Sequence, residues 1–75
     1  AMPKFPALKP KEVARALEGA GFVFDRQKGS HKKLTKEEQE ITLPWHNKDM
    51  KIGLVKKIIK CSGLTPEEFF KLSKS

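Results

Sequence analysis

Residues that could build a covalent staple or a metal centre are scarce in this chain: among 75 residues there is one cysteine, Cys61, and there are two histidines, His31 and His46. A lone cysteine excludes an internal disulfide, and the position of Cys61 in a helical pattern predicts a small buried hydrophobe. The three residues have no recognised zinc-ligand spacing. Glu37, Glu38 and Glu40 gather at a turn between two strand-like segments, where they are expected to be solvated rather than to converge as a two-metal carboxylate cluster. No apolar run approaches the ~20 residues of a membrane span, and no charged, apolar and cleavable series marks a signal peptide. The expectation is therefore a cytoplasmic protein that needs no membrane, metal or small-molecule cofactor.

Acidic residues are also in short supply. Sixteen Lys and Arg face nine Asp and Glu, for a formal charge of +7 and a pI near 9.8. Lysines recur at 9 to 11, 32 to 36, 48 to 51 and 56 to 60, so several edges of the fold should be positive and polyanions are the natural partners. Solubilising lysines would have the same composition, so charge alone does not establish nucleic-acid binding. Residues 1–75 suffice for one domain that buries about 60% of the surface its unfolded chain exposes. Ala1, ahead of Met2, reads as an expression remnant and is left out of the fold argument.

The periodicities predict an α+β fold in the order helix, three strands, helix, short helix, with the helices on one face of an antiparallel sheet. Pro10 to Ala20 reads as a helix, with proline at its first position, Val13, Leu17 and Ala20 at helical spacing, and Gly21 as a left-handed stop. Phe22 to Lys28 alternates as a strand, with Phe22 and Phe24 on one side and Val23 and Asp25 on the other. His31 to Thr35 and Glu40 to Trp45 suit a hairpin across Lys36-Glu37-Glu38-Gln39. If Leu34 and Ile41 both face the core, Lys33 meets Thr42 and His31 meets Pro44 on the outer face, with His46 diagonally across from His31 at roughly 7 Å between backbones. That register turns Lys32 inward near Leu43, so its ammonium must snorkel past the sheet edge. Lys51 to Cys61 forms a second helix with Leu54, Val55, Ile58, Ile59 and Cys61 on its core stripe. Thr65-Pro66-Glu67-Glu68 carries the cap, first-turn proline and returning carboxylate of a third, short helix bearing Phe69, Phe70 and Leu72. Trp45 continues the Ile41-Leu43 alternation and reads as core rather than as a base-stacking platform.

Chemistry concentrates at Gly29-Ser30-His31, a turn followed at once by Lys32-Lys33. Adjacent lysines attract a phosphate backbone and favour a neutral imidazole able to take a proton from a hydroxyl, which makes His31 the catalytic candidate. RNA carries its own nucleophile: a base that deprotonates the 2′-hydroxyl lets that oxygen attack the neighbouring phosphate, while lysines stabilise the developing charge. Lys28, Lys32, Lys33 and Lys48, together with a turn hydroxyl from Ser30, are the candidate RNA contacts. His46 reads either as a complementary acid or, the preferred reading, as a residue that with Asn47 fixes the loop entering the second helix or touches a partner. Ser30 as a nucleophile would need a carboxylate to orient His31, and none is visibly placed.

Taken together, Gly21-Phe22, Arg26, Gly29-Ser30-His31, Pro44, His46-Asn47-Lys48-Asp49, Gly53 and Gly63-Leu64 resemble the HicA toxin family over nearly the whole chain. The most specific part is Gly-Ser-His followed at this separation by His-Asn-Lys-Asp. The resemblance implies a small mRNA-cleaving toxin of a bacterial or archaeal toxin–antitoxin pair, a fold similar to a double-stranded-RNA-binding domain, a HicB-type antitoxin as partner, and His31 at the catalytic position. Two departures stand out. Family members often carry an aspartate-glycine turn where this chain has Lys36 to Gln39, and an aromatic common shortly after the histidine is replaced by Leu34.

Two other functions fit parts of the chain. A non-catalytic RNA-binding module would use the same basic faces to contact phosphates and 2′-hydroxyls by shape. A helix-turn-helix DNA reader would use the helices on either side of Ser62-Gly63-Leu64, but the first is heavily apolar and the second lacks recognition-type Arg or Gln.

Overall fold

The computed structural model describes residues 7–46 and 48–74. Helix α1 spans Pro10–Gly19, strands β1, β2 and β3 span Val23–Lys28, His31–Lys36 and Gln39–Pro44, and helices α2 and α3 span Ile52–Ser62 and Pro66–Ser73. The three strands form an antiparallel meander in the order β1-β2-β3. This is the expected α+β order, with the layout of a double-stranded-RNA-binding domain. Ala1 and Asn47 lie outside the described residues.

Local signals start and stop the helices. Pro10 opens α1, and the Lys9 amide donates to Glu12 Oε1 at 2.9 Å, so the first turn is closed by the returning carboxylate. Thr65 caps α3 by accepting from the Glu68 amide at 3.2 Å, while Glu68 Oε1 accepts from the Thr65 amide at 3.1 Å, completing a capping box. Gly63, at φ 79°, supplies the left-handed residue that ends α2.

The core lies between the helices and one sheet face. Leu34, Ile41 and Leu43 project inward from β2 and β3 and meet Val13, Ala16 and Leu17 of α1, Val55, Ile58 and Ile59 of α2, and Phe69 of α3, with Leu8, Phe22 and Met50 closing the ends. Each such large apolar side chain contributes about 1.5–3 kcal/mol on burial. The β2–β3 pairing sets Leu34 opposite Ile41, Lys33 opposite Thr42, Lys32 opposite Leu43 and His31 opposite Pro44, which is the register that the hydrophobic pattern required.

Three expectations are corrected. Cys61 is exposed. On a helix it sits about 120° around from Val55, whereas Ser62 falls in line with Val55, Ile58 and Ile59 and is the residue buried there. The Ser62 hydroxyl tolerates this place because it donates to the Ile59 carbonyl at 2.6 Å and accepts from the Leu64 amide at 3.3 Å. The second correction concerns β1, which is exposed along its whole length and does not keep a simple alternation. Phe24 pairs with Leu34, but Arg26 pairs with Lys33, so one extra residue, Asp25, bulges out between them. Phe22 is buried just ahead of the strand, while Phe24, on the inner face, remains 54% exposed. The third is Trp45, which packs against the core only in part and is half-buried.

Candidate functional site

The outer sheet face is built by two hairpins that share β2. The β1–β2 turn has two residues, Gly29 and Ser30, between the paired Lys28 and His31. Its first central position needs a positive φ, and Gly29 has φ 60°. His31 is thereby the first residue of β2, with Lys28 directly across on β1 and Pro44 directly across on β3. Directly paired residues share a face with Cβ atoms about 5 Å apart, so Lys28 stands beside the imidazole.

The bulge decides what else shares that face. Uninterrupted alternation from Phe24 would send Arg26 and Lys28 inward, whereas the extra Asp25 turns both outward beside Lys33 and His31. Arg26, Lys28, His31, Lys33 and Thr42 then line an open depression of about 380 Å³. His31 is exposed in it. Two of the cations have acidic neighbours: Arg26 Nε lies 3.2 Å from Asp25 Oδ2, and Lys33 Nζ lies 3.2 Å from Glu40 Oε2. In each pair one partner is exposed, so solvent screens the attraction and the cation is readily exchanged to a phosphate oxygen.

The remaining candidates are placed elsewhere. Lys32, one residue on from His31, points to the opposite face, where its ammonium sits 3.6 Å from the Trp45 ring centroid and 5.7 Å from that of Phe24. This is the snorkelling expected of an inward lysine near a sheet edge, completed by an aromatic partner. Ser30 is exposed in the turn, and its carbonyl accepts from the Trp45 amide. His46 and Lys48 are exposed beyond the end of β3, where His46 Nδ1 accepts from the Lys48 amide at 3.1 Å. That bond ties His46 into the loop before α2, and neither residue lines the depression with His31.

Arg26 and Thr42 were not among the expected contacts. Thr42 was legible as the outward partner of Lys33. Arg26 was not, because a strand's alternation says nothing of an extra residue within it. Among the described residues, no group of three or more His, Cys, Asp or Glu side chains is arranged to hold a metal ion, and no helix is long and apolar enough to cross a membrane.

The chain that builds this basic, open sheet face matches, over residues 10–64, the family model described as HicA toxin of bacterial toxin–antitoxin. The chain belongs to the HicA toxin family. The match begins with α1, takes in all three strands and α2, and ends just past Gly63, so it includes every residue of the depression. No curated protein matches the chain. Membership places the chain among toxins of toxin–antitoxin systems.

Proposed function

We propose that the chain is an endoribonuclease that cuts mRNA without a metal, using His31, and that a HicB-type antitoxin restrains it in the cytoplasm. The observation that carries this reading is an exposed imidazole in a depression walled by Arg26, Lys28 and Lys33. His31 takes the proton from a ribose 2′-hydroxyl. The freed oxygen attacks the adjacent phosphorus, the bond to the 5′-oxygen breaks, and that oxygen leaves as a hydroxyl by taking a proton from water, while the His31 imidazolium returns its proton to solvent. The products are a 2′,3′-cyclic phosphate, which hydrolyses to a 3′-phosphate, and a 5′-hydroxyl end.

The charge that builds on the non-bridging oxygens needs nearby cations that are already in place. Lys28, across the strand pair from His31, and Arg26 and Lys33, two residues further along the face, meet that need. Lys32 and Lys48, on the far face and in the following loop, add to the field that draws RNA in, and Ser30 offers a hydroxyl and an amide at the turn. His46 serves the loop rather than the chemistry, which agrees with its bond to the Lys48 amide. The antitoxin reading rests on family membership and on the physics of a positive face that an acidic surface can mask.

The test is a defined RNA incubated with wild type and His31→Ala, each with EDTA, followed by analysis of the new ends. Wild type should leave cyclic or 3′-phosphate termini, and His31→Ala should lose at least the ~10²-fold typical of a general base or acid. His46→Ala should retain most activity. Cleavage of an all-DNA analogue, or full activity in His31→Ala, would show the assignment to be wrong. RNA binding without turnover by the wild type would favour the non-catalytic module.

A further inference from the structure

Trp45 touches both neighbours of His31. Its backbone amide donates to the carbonyl of Ser30, the residue before His31. Its ring carries the ammonium of Lys32, the residue after His31, at 3.6 Å from the centroid. The first contact joins the residue beyond β3 to the glycine turn. The second fixes the long side chain of Lys32 on the inner face, and since alternate residues of a strand point to opposite faces, it holds His31 outward. We propose that Trp45 is a positioning residue: it clamps the β1–β2 turn and the start of β2 so that the His31 imidazole keeps one orientation in the depression.

The clamp acts where the site is most open to solvent, at the end of the ladders that pair β2 with β1 and β3. Gly29 and Ser30 are exposed, β1 is exposed throughout, and His31 itself is exposed. A ring at this distance from an ammonium gives one of the closer cation–π contacts, and Trp is the best ring for it. Displacing a reacting group by about 1 Å costs as much as 10²-fold in rate, so losing the clamp should show in turnover rather than in RNA affinity.

The inference rests on the nuclease reading of His31, and the experiment keeps the two apart. Trp45→Leu, Trp45→Phe and Lys32→Met are compared with wild type for kcat and KM on a single-stranded RNA. Each variant's fold is checked by thermal melting, and amide hydrogen exchange and His31 ring resonances are followed by NMR without RNA. The expected result for Trp45→Leu is a kcat lower by on the order of tenfold or more, with KM within about twofold, faster exchange of the residue 45 amide and altered His31 resonances. Trp45→Phe, which keeps a ring under the ammonium, should recover much of the loss. Unchanged kcat in Trp45→Leu overturns the proposal. So does a raised KM with kcat kept, which would make Trp45 a stacking surface for a base. If the wild type does not cleave RNA, the nuclease reading fails, and unchanged exchange and His31 resonances in Trp45→Leu then decide against the clamp by themselves.

Discussion

Replacing Lys36 with methionine tests how the hairpin is tied to the helix layer. Lys36 is the last residue of β2, and its ammonium donates to the carbonyl of Ala20, the residue capping the C-terminus of α1, at 2.7 Å. The side chain is partly buried and runs close beside Gly21: a Cβ at Gly21 would lie 3.3 Å from Lys36 Cε. The ammonium is also 5.9 Å from the Phe22 ring centroid. Methionine keeps the length of the stem and its packing but leaves the carbonyl with water alone. A hydrogen bond from a charged donor contributes about 1.5–3 kcal/mol, and a cation at a helix C-terminus typically adds 0.3–1 kcal/mol. Partial exposure lets water recover some of this, so the expected loss is about 1–2 kcal/mol. For a domain of this size that lowers Tm by about 5–12 °C. The control is Lys33→Met, whose Glu40 partner is exposed and whose ion pair should contribute no more than about 0.5 kcal/mol. Thermal and urea unfolding followed by circular dichroism measure both. Equal, small losses in the two variants would refute the reasoning, because Lys36 would then be no more than a surface charge.

Two further outcomes follow from the hairpin and from the charge around His31. Glu37 holds φ 55° at the first central position of the β2–β3 turn, where glycine is the usual residue, so Glu37→Gly should raise stability by about 0.5–1 kcal/mol, with an unchanged urea midpoint counting against it. Glu40→Gln frees Lys33 from its carboxylate partner and should lower KM for RNA by roughly two- to fivefold at low salt, a gain that fades as salt is raised; a KM that does not move would show that Lys33 is not engaged by RNA.

The hairpin register was readable because one face of β2 and β3 is buried. A shift of one residue would have taken Leu34, Ile41 and Leu43 out of the core, so the apolar pattern left one pairing, and that pairing put His31 outward. The exposed strand β1 had no such constraint. Its alternation was compatible with a straight strand, and only the ladder reveals that Asp25 is the extra residue. Cys61 misled for a related reason: cysteine and serine are close in size, and the choice between neighbours on α2 depends on the helix rotation that packs Val55, Ile58 and Ile59, not on the polarity of either residue.

The amino-acid sequence by itself determined the order of elements, the inward face of the hairpin, the capping of α3 and the position of the candidate histidine at a glycine turn, because each depends on neighbours within a few residues or on a burial pattern with one solution. Tertiary structure alone decided which cations surround His31, which rings receive the Lys32 ammonium and what Trp45 holds. Those depend on a bulge in an exposed strand and on contacts between residues more than ten positions apart, and no local preference encodes either.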